Sequence, residues 1–278
     1  MVIVLILFGV VLWYFRLIPL FWYWSSIPDN TLSGYRVALE AKPIAGIRKN
    51  ASALTYNRDS DTLFTATNHP PQIFELSRSG DVVRRISVTG VDDLEGITHI
   101  EGHLYSLVDE RRMQIHWVTI DADTKHVNVA DAPRLGLNLL QNGNHGFEGV
   151  TWDKRHHRLF VAKEKPPLVL EIKDLTSTQG IDLQIHEWVP RQPFSRFMRD
   201  LSSLEHNEAT HHMLLLSDES HLLVEYSAVD ELAGIMPLWR GFHGLTANVP
   251  QAEGVAVGRN GTIYLISEPN LFYRFERQ

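Results

Sequence analysis

Ala252-Glu253-Gly254-Val255-Ala256-Val257 and, after the turn Gly258-Arg259-Asn260-Gly261, the run Ile263-Tyr264-Leu265-Ile266-Ser267-Glu268 decide how this chain is read. Two short apolar segments rich in Val, Ile and Tyr flank a Gly/Asn turn, the pattern of a β-hairpin rather than a helix. The unit recurs upstream. Its counterparts open as Ala51-Ser52-Ala53-Leu54, Leu94-Glu95-Gly96-Ile97, Phe147-Glu148-Gly149-Val150 and Leu201-Ser202-Ser203-Leu204. Their second segments are Leu63-Phe64-Thr65-Ala66, Leu104-Tyr105-Ser106-Leu107, Leu159-Phe160-Val161-Ala162 and Met213-Leu214-Leu215-Leu216. A third apolar segment follows in each copy: 72–76, 115–120, 168–172, 222–226 and 271–275.

A period of roughly 50 residues built from short strands is that of propeller blades. Helical repeats would need 3.6-residue periodicity, and only Ser227 to Ala233 offers it locally. The last copy stops after its third strand, and Tyr35 to Ala41 supplies a spare strand before the first. Pairing the two would close the ring and remove exposed sheet edges. The expected fold is all-β: a five-bladed β-propeller of four-stranded blades over residues 35–278. A polar linker at 25–34 and an N-terminal transmembrane helix at 1–24 precede it.

The anchor rests on composition. Met1 to Phe15 carries no charge, Arg16 interrupts, and Leu17 to Trp24 is apolar again, together about the twenty residues that cross a bilayer. Arg16 lies towards one end, where it can snorkel to a headgroup region. Trp13, Tyr14, Phe21, Trp22, Tyr23 and Trp24 suit an interfacial aromatic belt. A cleaved signal peptide would show a basic start and a small-residue cleavage site, neither of which stands out. Few Lys or Arg flank the span, so charge leaves its direction open.

The 278 residues are 44% hydrophobic, carry a net charge of −7 and include no cysteine. Disulfides, zinc–thiolate sites, iron–sulfur clusters and cysteine nucleophiles are thereby excluded. No basic stripe marks a nucleic-acid groove, and no P-loop, nucleophile elbow or dinucleotide fingerprint occurs.

The repeats carry the chemistry instead. In a hairpin that lines a propeller axis, the start of the first strand and the end of the second lie on one face. The first set comprises Ser52, Glu95, Glu148, Ser202 and Glu253; the second comprises Asn68, Asp109, Glu164, Asp218 and Glu268. Seven of these ten are carboxylates. Like charges gathered in one funnel repel, and a bound cation is the simplest offset. Oxygen donors without cysteine suit Ca²⁺, or Mg²⁺ as the alternative. Protonation, or pairing with Lys163, Lys165, Arg111 or Arg112, would offset the same charge. The candidate metal ligands are the seven acids, and Asn68, Lys163 and His145 are the candidate ligand-binding residues. The rival reading is structural, since a repeated Glu-Gly can satisfy backbone donors in a crowded turn. His156-His157 and His211-His212 fall in turns pointing away from the funnel and read as solvated.

Asp93-Leu94-Glu95, Gly146-Phe147-Glu148-Gly149, Lys163-Glu164-Lys165, Gln251-Ala252-Glu253-Gly254-Val255-Ala256 and Ser267-Glu268-Pro269-Asn270 followed by Phe272-Tyr273-Arg274-Phe275 resemble the SdiA-regulated, YjiK-like family of bacterial propeller proteins. The resemblance implies a single-pass inner-membrane protein with its propeller in the periplasm. It also implies links to calcium and, through fold, to phytase-like phosphoesterases, with no catalytic set to carry over. The expectation is a calcium-binding envelope protein that recognises a small ligand or an envelope protein at the funnel. The alternative is a metal-dependent phosphoesterase or lactonase-like hydrolase, with Glu148, Glu164 or His145 as base. A structural module with an empty funnel is the third reading.

Overall fold

Second strands such as Met213-Leu214-Leu215-Leu216 and Leu159-Phe160-Val161-Ala162 are apolar at consecutive positions, so both faces of their sheet must be covered. The computed structural model, which describes Gly9, Leu12, Trp13 and residues 16–137, 146–174 and 183–278, shows how. Side chains alternate across the sheet. Leu159 and Val161 enter the core shared with the preceding blade, while Phe160 and Ala162 enter the core shared with the next. Leu214 and Leu216 likewise part from Met213 and Leu215. The apolar interior is therefore five inter-blade cores rather than one.

Five sheets make the ring. β1 (Tyr35–Pro43) joins the last blade. The first blade holds β2 (Ala51–Asn57), β3 (Thr62–Thr67), β4 (Gln72–Leu76) and β5 (Val82–Thr89). The second holds β6 (Leu94–Glu101), β7 (Leu104–Asp109) and β8 (Gln114–Thr119). Then come β9 (His126–Asn128) and β10 (Arg134–Gly136), of which β10 completes the second blade. The third is β11 (Phe147–Asp153), β12 (Arg158–Lys163), β13 (Leu168–Asp174) and β14 (Leu183–Glu187). The fourth is β15 (Ser203–Asn207), β16 (His212–Ser217), β17 (Leu222–Tyr226) and β18 (Leu232–Pro237). The fifth is β19 (Ala252–Val257), β20 (Ile263–Ser267) and β21 (Leu271–Arg277), completed by β1 antiparallel to β21 with Tyr35 opposite Arg277. The inner strands contact one another in the closed order β2, β6, β11, β15, β19 and back to β2.

Four expectations need correction. The first blade has five strands: β9 adds to β5 in parallel, pairing Ser87 with His126, and covers an edge while burying Val127 and Val129. Ser227 to Ala233 is not helical. The Ser227 hydroxyl accepts from the amides of Val229 and Glu231, and Asp230 takes φ 59°, which closes a hairpin turn. The 25–34 segment is docked rather than loose. Asn30 donates to the Ile235 carbonyl at 2.8 Å and accepts from the Ile235 amide at 3.1 Å, and Leu32 is buried. Arg16 does not snorkel; its guanidinium donates to the carbonyls of Ser195 and Met198.

Ahead of the linker, α1 (Leu17–Ser25) packs Leu20, Tyr23 and Trp24 against the third and fourth blades, with Tyr23 5.3 Å from Phe197 and Trp24 6.2 Å from Phe242. Tyr23 and Trp24 thus face protein. Trp13, Ile18, Phe21 and Trp22 are exposed, each by more than 60%. No helix among the described residues is long and apolar enough to cross a membrane; half of the expected span, Tyr14 included, lies outside those residues.

Close approach at the axis makes one sharp demand. A Cβ on Gly254 would meet the Leu54 amide nitrogen at 2.8 Å and the Ala53 carbonyl carbon at 2.9 Å, backbone of the neighbouring inner strand that cannot step aside. Gly254→Val should lower stability to chemical denaturant by about 1–3 kcal/mol or more, with the slope of the transition unchanged. A wild-type midpoint would remove this account of why glycine stands there.

Candidate functional site

Four of the five inner strands open with a residue squeezed out of the ladder. Leu94 pairs with Asp109 and Gly96 with Val108, leaving Glu95 between them; Glu148 and Glu253 stand alike between Phe147 and Gly149, and between Ala252 and Gly254. Ser52 does the same in the first blade. A bulge of this kind leaves its extra residue unpaired and re-aims its side chain, here into the axial funnel. The repeated Glu-Gly follows directly: the glutamate is the bulged residue, and the glycine lets the next blade approach.

The second ring arrives by a repeated hydrogen bond. The amides of Glu110, Glu164 and Glu268 donate to the carbonyls of Asp93, Gly146 and Gln251 at 2.9, 3.2 and 2.9 Å. The resulting funnel, about 260 Å³, is lined by Glu95, Glu148 and Glu253 from the inner strands and by Asn68, Glu110, Glu164, Asp218 and Glu268 from the second. Asp200, Glu219, Ser52, Ser202, Gln251 and Lys165 complete the wall. Nine of these are carboxylates and one is a cation.

The ring contains Glu110 where the sequence spacing pointed to Asp109. β7 opens with Leu104, an apolar residue at the position that Thr62, Arg158 and His212 hold in other blades, so a count from the first apolar residue begins one place too soon. One residue of slip turns a side chain to the other face of a strand. Asp109 is accordingly sealed in protein, accepting from the amides of Asp92 and Arg112 at 2.9 and 3.2 Å. Lys163 shares that register and also leaves the funnel, its ammonium donating to the Lys165 carbonyl. Lys165 is the cation inside, 2.9 Å from both Glu164 and Glu219. His145, with Asn144, lies outside the described residues. Asn68 is in place: it donates to Glu95 at 2.5 Å and is itself held by Asn50 at 2.7 Å. The two serines that replace glutamate bridge blades, Ser52 to the Leu94 carbonyl at 2.7 Å and Ser202 to the Ala252 carbonyl at 2.6 Å.

Sequence reasoning missed Asp200, Glu219, Glu110 and Asp93. Asp93 and Asp200 each stand two residues before the first-strand position, an offset shared with Gln251, and that common offset was the available signal. Ligand oxygens of Asp93, Glu95 and Glu110 lie within 4.8 Å of one another, a geometry that could hold a cation. Asp93 also takes Arg111 at 3.0 Å.

Burial and mutual repulsion dominate the electrostatics. Glu148 is pushed well above the ordinary glutamate range by burial first, then by Glu95, Glu110, Glu253 and Glu164. Burial also drives Glu253 well up, helped by Glu95 and Asp218 against a hydrogen bond from Gln251. Glu95 rises through burial in spite of the Asn68 bond. Glu110, Asp200, Asp218 and Glu268 are raised chiefly by burial too. Lys165 moves the other way from what its burial alone would cause, because Glu219 and Glu164 hold its proton. The histidine pairs lie away from the funnel, but only His156 and His157 are exposed turn residues as expected: His211 is half-buried in the β15–β16 turn, and His212 opens β16 and bonds Glu225 at 2.9 Å.

Among solved structures, luciferin-regenerating enzyme is similar at a TM-score of 0.54 and 12% identity, over 86% of this chain and 95% of that one. Streptogramin B lyase is similar at 0.51 and 9%, over 88% and 98%. A chain of the nidogen/laminin complex is similar at 0.52 and 11%, over 84% and 86%. At such identities the likeness is one of fold, which does not transfer a function. The sequence itself matches the SdiA-regulated family across residues 29–276, nearly the whole propeller. The chain belongs to the SdiA-regulated family.

Proposed function

We propose that the funnel binds a hard divalent cation, calcium foremost and magnesium as the alternative, and with it a small ligand or an envelope protein. The observation that carries this is the convergence of Glu95, Glu148 and Glu253 at the axis, where burial and neighbouring carboxylates raise the proton affinity of all three. Carboxylates held so close need positive charge or protons. The donor set is oxygen throughout, as a hard cation requires. Glu95, Glu110 and Asp93, with Glu148 and Glu253 beside them, would hold the ion. When bound, it would supply the charge that draws an oxygen-bearing ligand to the mouth. The residues themselves orient that ligand: Asn68 fixes Glu95, and the Gly146 amide donates to Glu110 at 2.9 Å.

Hydrolysis of a phosphoester or lactone is the second reading. It is weaker, because a phosphate calls for positive groups at the funnel and Lys165 is already claimed by Glu164 and Glu219. In the leading reading the N-terminal segment holds the chain in the bacterial inner membrane in a single pass, with the propeller in the periplasm. The exposed apolar set Trp13, Ile18, Phe21 and Trp22 supports contact with lipid.

Calorimetric titration of the native chain should show Ca²⁺ binding, weakened by about 10–100-fold in Glu148→Gln and Glu253→Gln. A native chain that takes up neither Ca²⁺ nor Mg²⁺ removes both readings.

Stability should also follow pH. A carboxyl with a raised folded-state proton affinity stabilises the fold while protonated. That contribution is complete below the unfolded value, near 4.5, and is lost as pH climbs through the raised folded range. The cation-free chain should therefore lose melting temperature from pH 5 towards 8, and Ca²⁺ should restore it. A flat profile without Ca²⁺ would contradict the assignment.

The anchor predicts that membrane-extracted protein retains residues 1–24 by intact-mass measurement. A shorter, freely soluble mature chain would point to cleavage instead.

A further inference from the structure

The inner strands run from the funnel to the opposite face, and a different set of ligating groups collects there. Asp153 ends β11, His206 lies near the end of β15, and His211 sits in the turn that follows. Ligand atoms of these three, drawn from two blades, lie within 4.8 Å of one another. His206 Nε2 is 3.8 Å from Asp153 Oδ2. Both ring nitrogens of His206 are buried without a hydrogen-bond partner, as is Nδ1 of His211. Buried polar atoms left unmatched are costly and call for an explanation. A fourth residue is in reach: His156 bonds Asp153 Oδ2 at 2.7 Å, and its ring centre is 6.4 Å from that of His211.

We propose that Asp153, His206 and His211, with His156 beside them, form a second metal site on the face opposite the funnel, for a borderline divalent ion of the zinc type. Two or three imidazoles and a carboxylate, without cysteine, are a donor set for Zn²⁺ and are ill suited to Ca²⁺. Bonds of about 2.0–2.1 Å in a tetrahedron separate ligand atoms by roughly 3.3 Å, so small side-chain rotations close the cluster. Asp153 Oδ2 also accepts from Arg158 Nε at 2.7 Å. Two cations stand nearby. Arg158 is offset by its 3.0 Å contact with Glu171, and Arg155, which reaches His211 Nε2 at 3.0 Å, is exposed and can swing clear. The two ends of the axis would then sort cations by ligand, oxygen at one and nitrogen at the other.

The test is Zn²⁺ and Co²⁺ titration of the chelator-stripped full chain in detergent. The expected result is about one zinc ion per chain and the intense visible absorption of four-coordinate cobalt. His206→Gln and His211→Ala should each weaken Zn²⁺ binding by about 10–100-fold while leaving Ca²⁺ binding unchanged. His211→Ala, in a turn, keeps the test informative if circular dichroism shows His206→Gln unfolded. The proposal fails if the stripped protein takes up no zinc on titration. It fails equally if both variants bind zinc as the native chain does, or if Glu148→Gln abolishes zinc binding instead. Ca²⁺ binding lost at the funnel would leave this site untouched, so the two assignments fail separately.

Discussion

Five inner strands crowd one axis, and the rest of the molecule follows from that crowding. Backbone from neighbouring blades comes so near that Gly149 and Gly254 admit no side chain without collision. The residue before each must leave the ladder as a bulge, and in three blades it is a glutamate. The packing that closes the ring is therefore the same packing that drives carboxylates together. Burial and charge act in one direction there, so the funnel is electrostatically strained unless protons or a cation enter it.

The architecture was legible because the repeat is written in consecutive apolar residues. Leu159 to Ala162 feeds two cores at once, and that reads as a fully buried strand. Closure by Tyr35 onwards was visible as a strand without a partner. The additions were not. β9 has three residues and pairs in parallel with a strand far from it in sequence, a contact that no local pattern encodes. Ser227 to Ala233 has helix-like spacing, yet the Ser227 hydroxyl captures the amides that a helix would need.

The candidate site was legible to within one residue, and that residue mattered. Counting from Leu104 selected Asp109, whereas Leu104 stands where other blades carry Thr62, Arg158 and His212, so the count began one residue early and Glu110 is the residue at the axis. Lys163 and Lys165 differ in the same way, two positions along one chain with opposite fates. Periodicity fixes which face a strand presents only when its register is known, and bulges alter register without a composition signature. Asp93 and Asp200 were hidden for another reason: they precede the strand, where apolar alternation gives no frame.

Closure of the last blade by β1 has a temporal meaning as well. Within the propeller β1 precedes every other strand and pairs with β21, which follows them all, so the ring stays open until β21 has emerged. Until then β1 has no ladder, and the unfinished fifth blade presents a bare edge able to recruit other chains. Long-range pairing of this sort slows folding and prolongs exposure of such edges. An unpaired β1 is thus a hazard of maturation rather than of the finished protein.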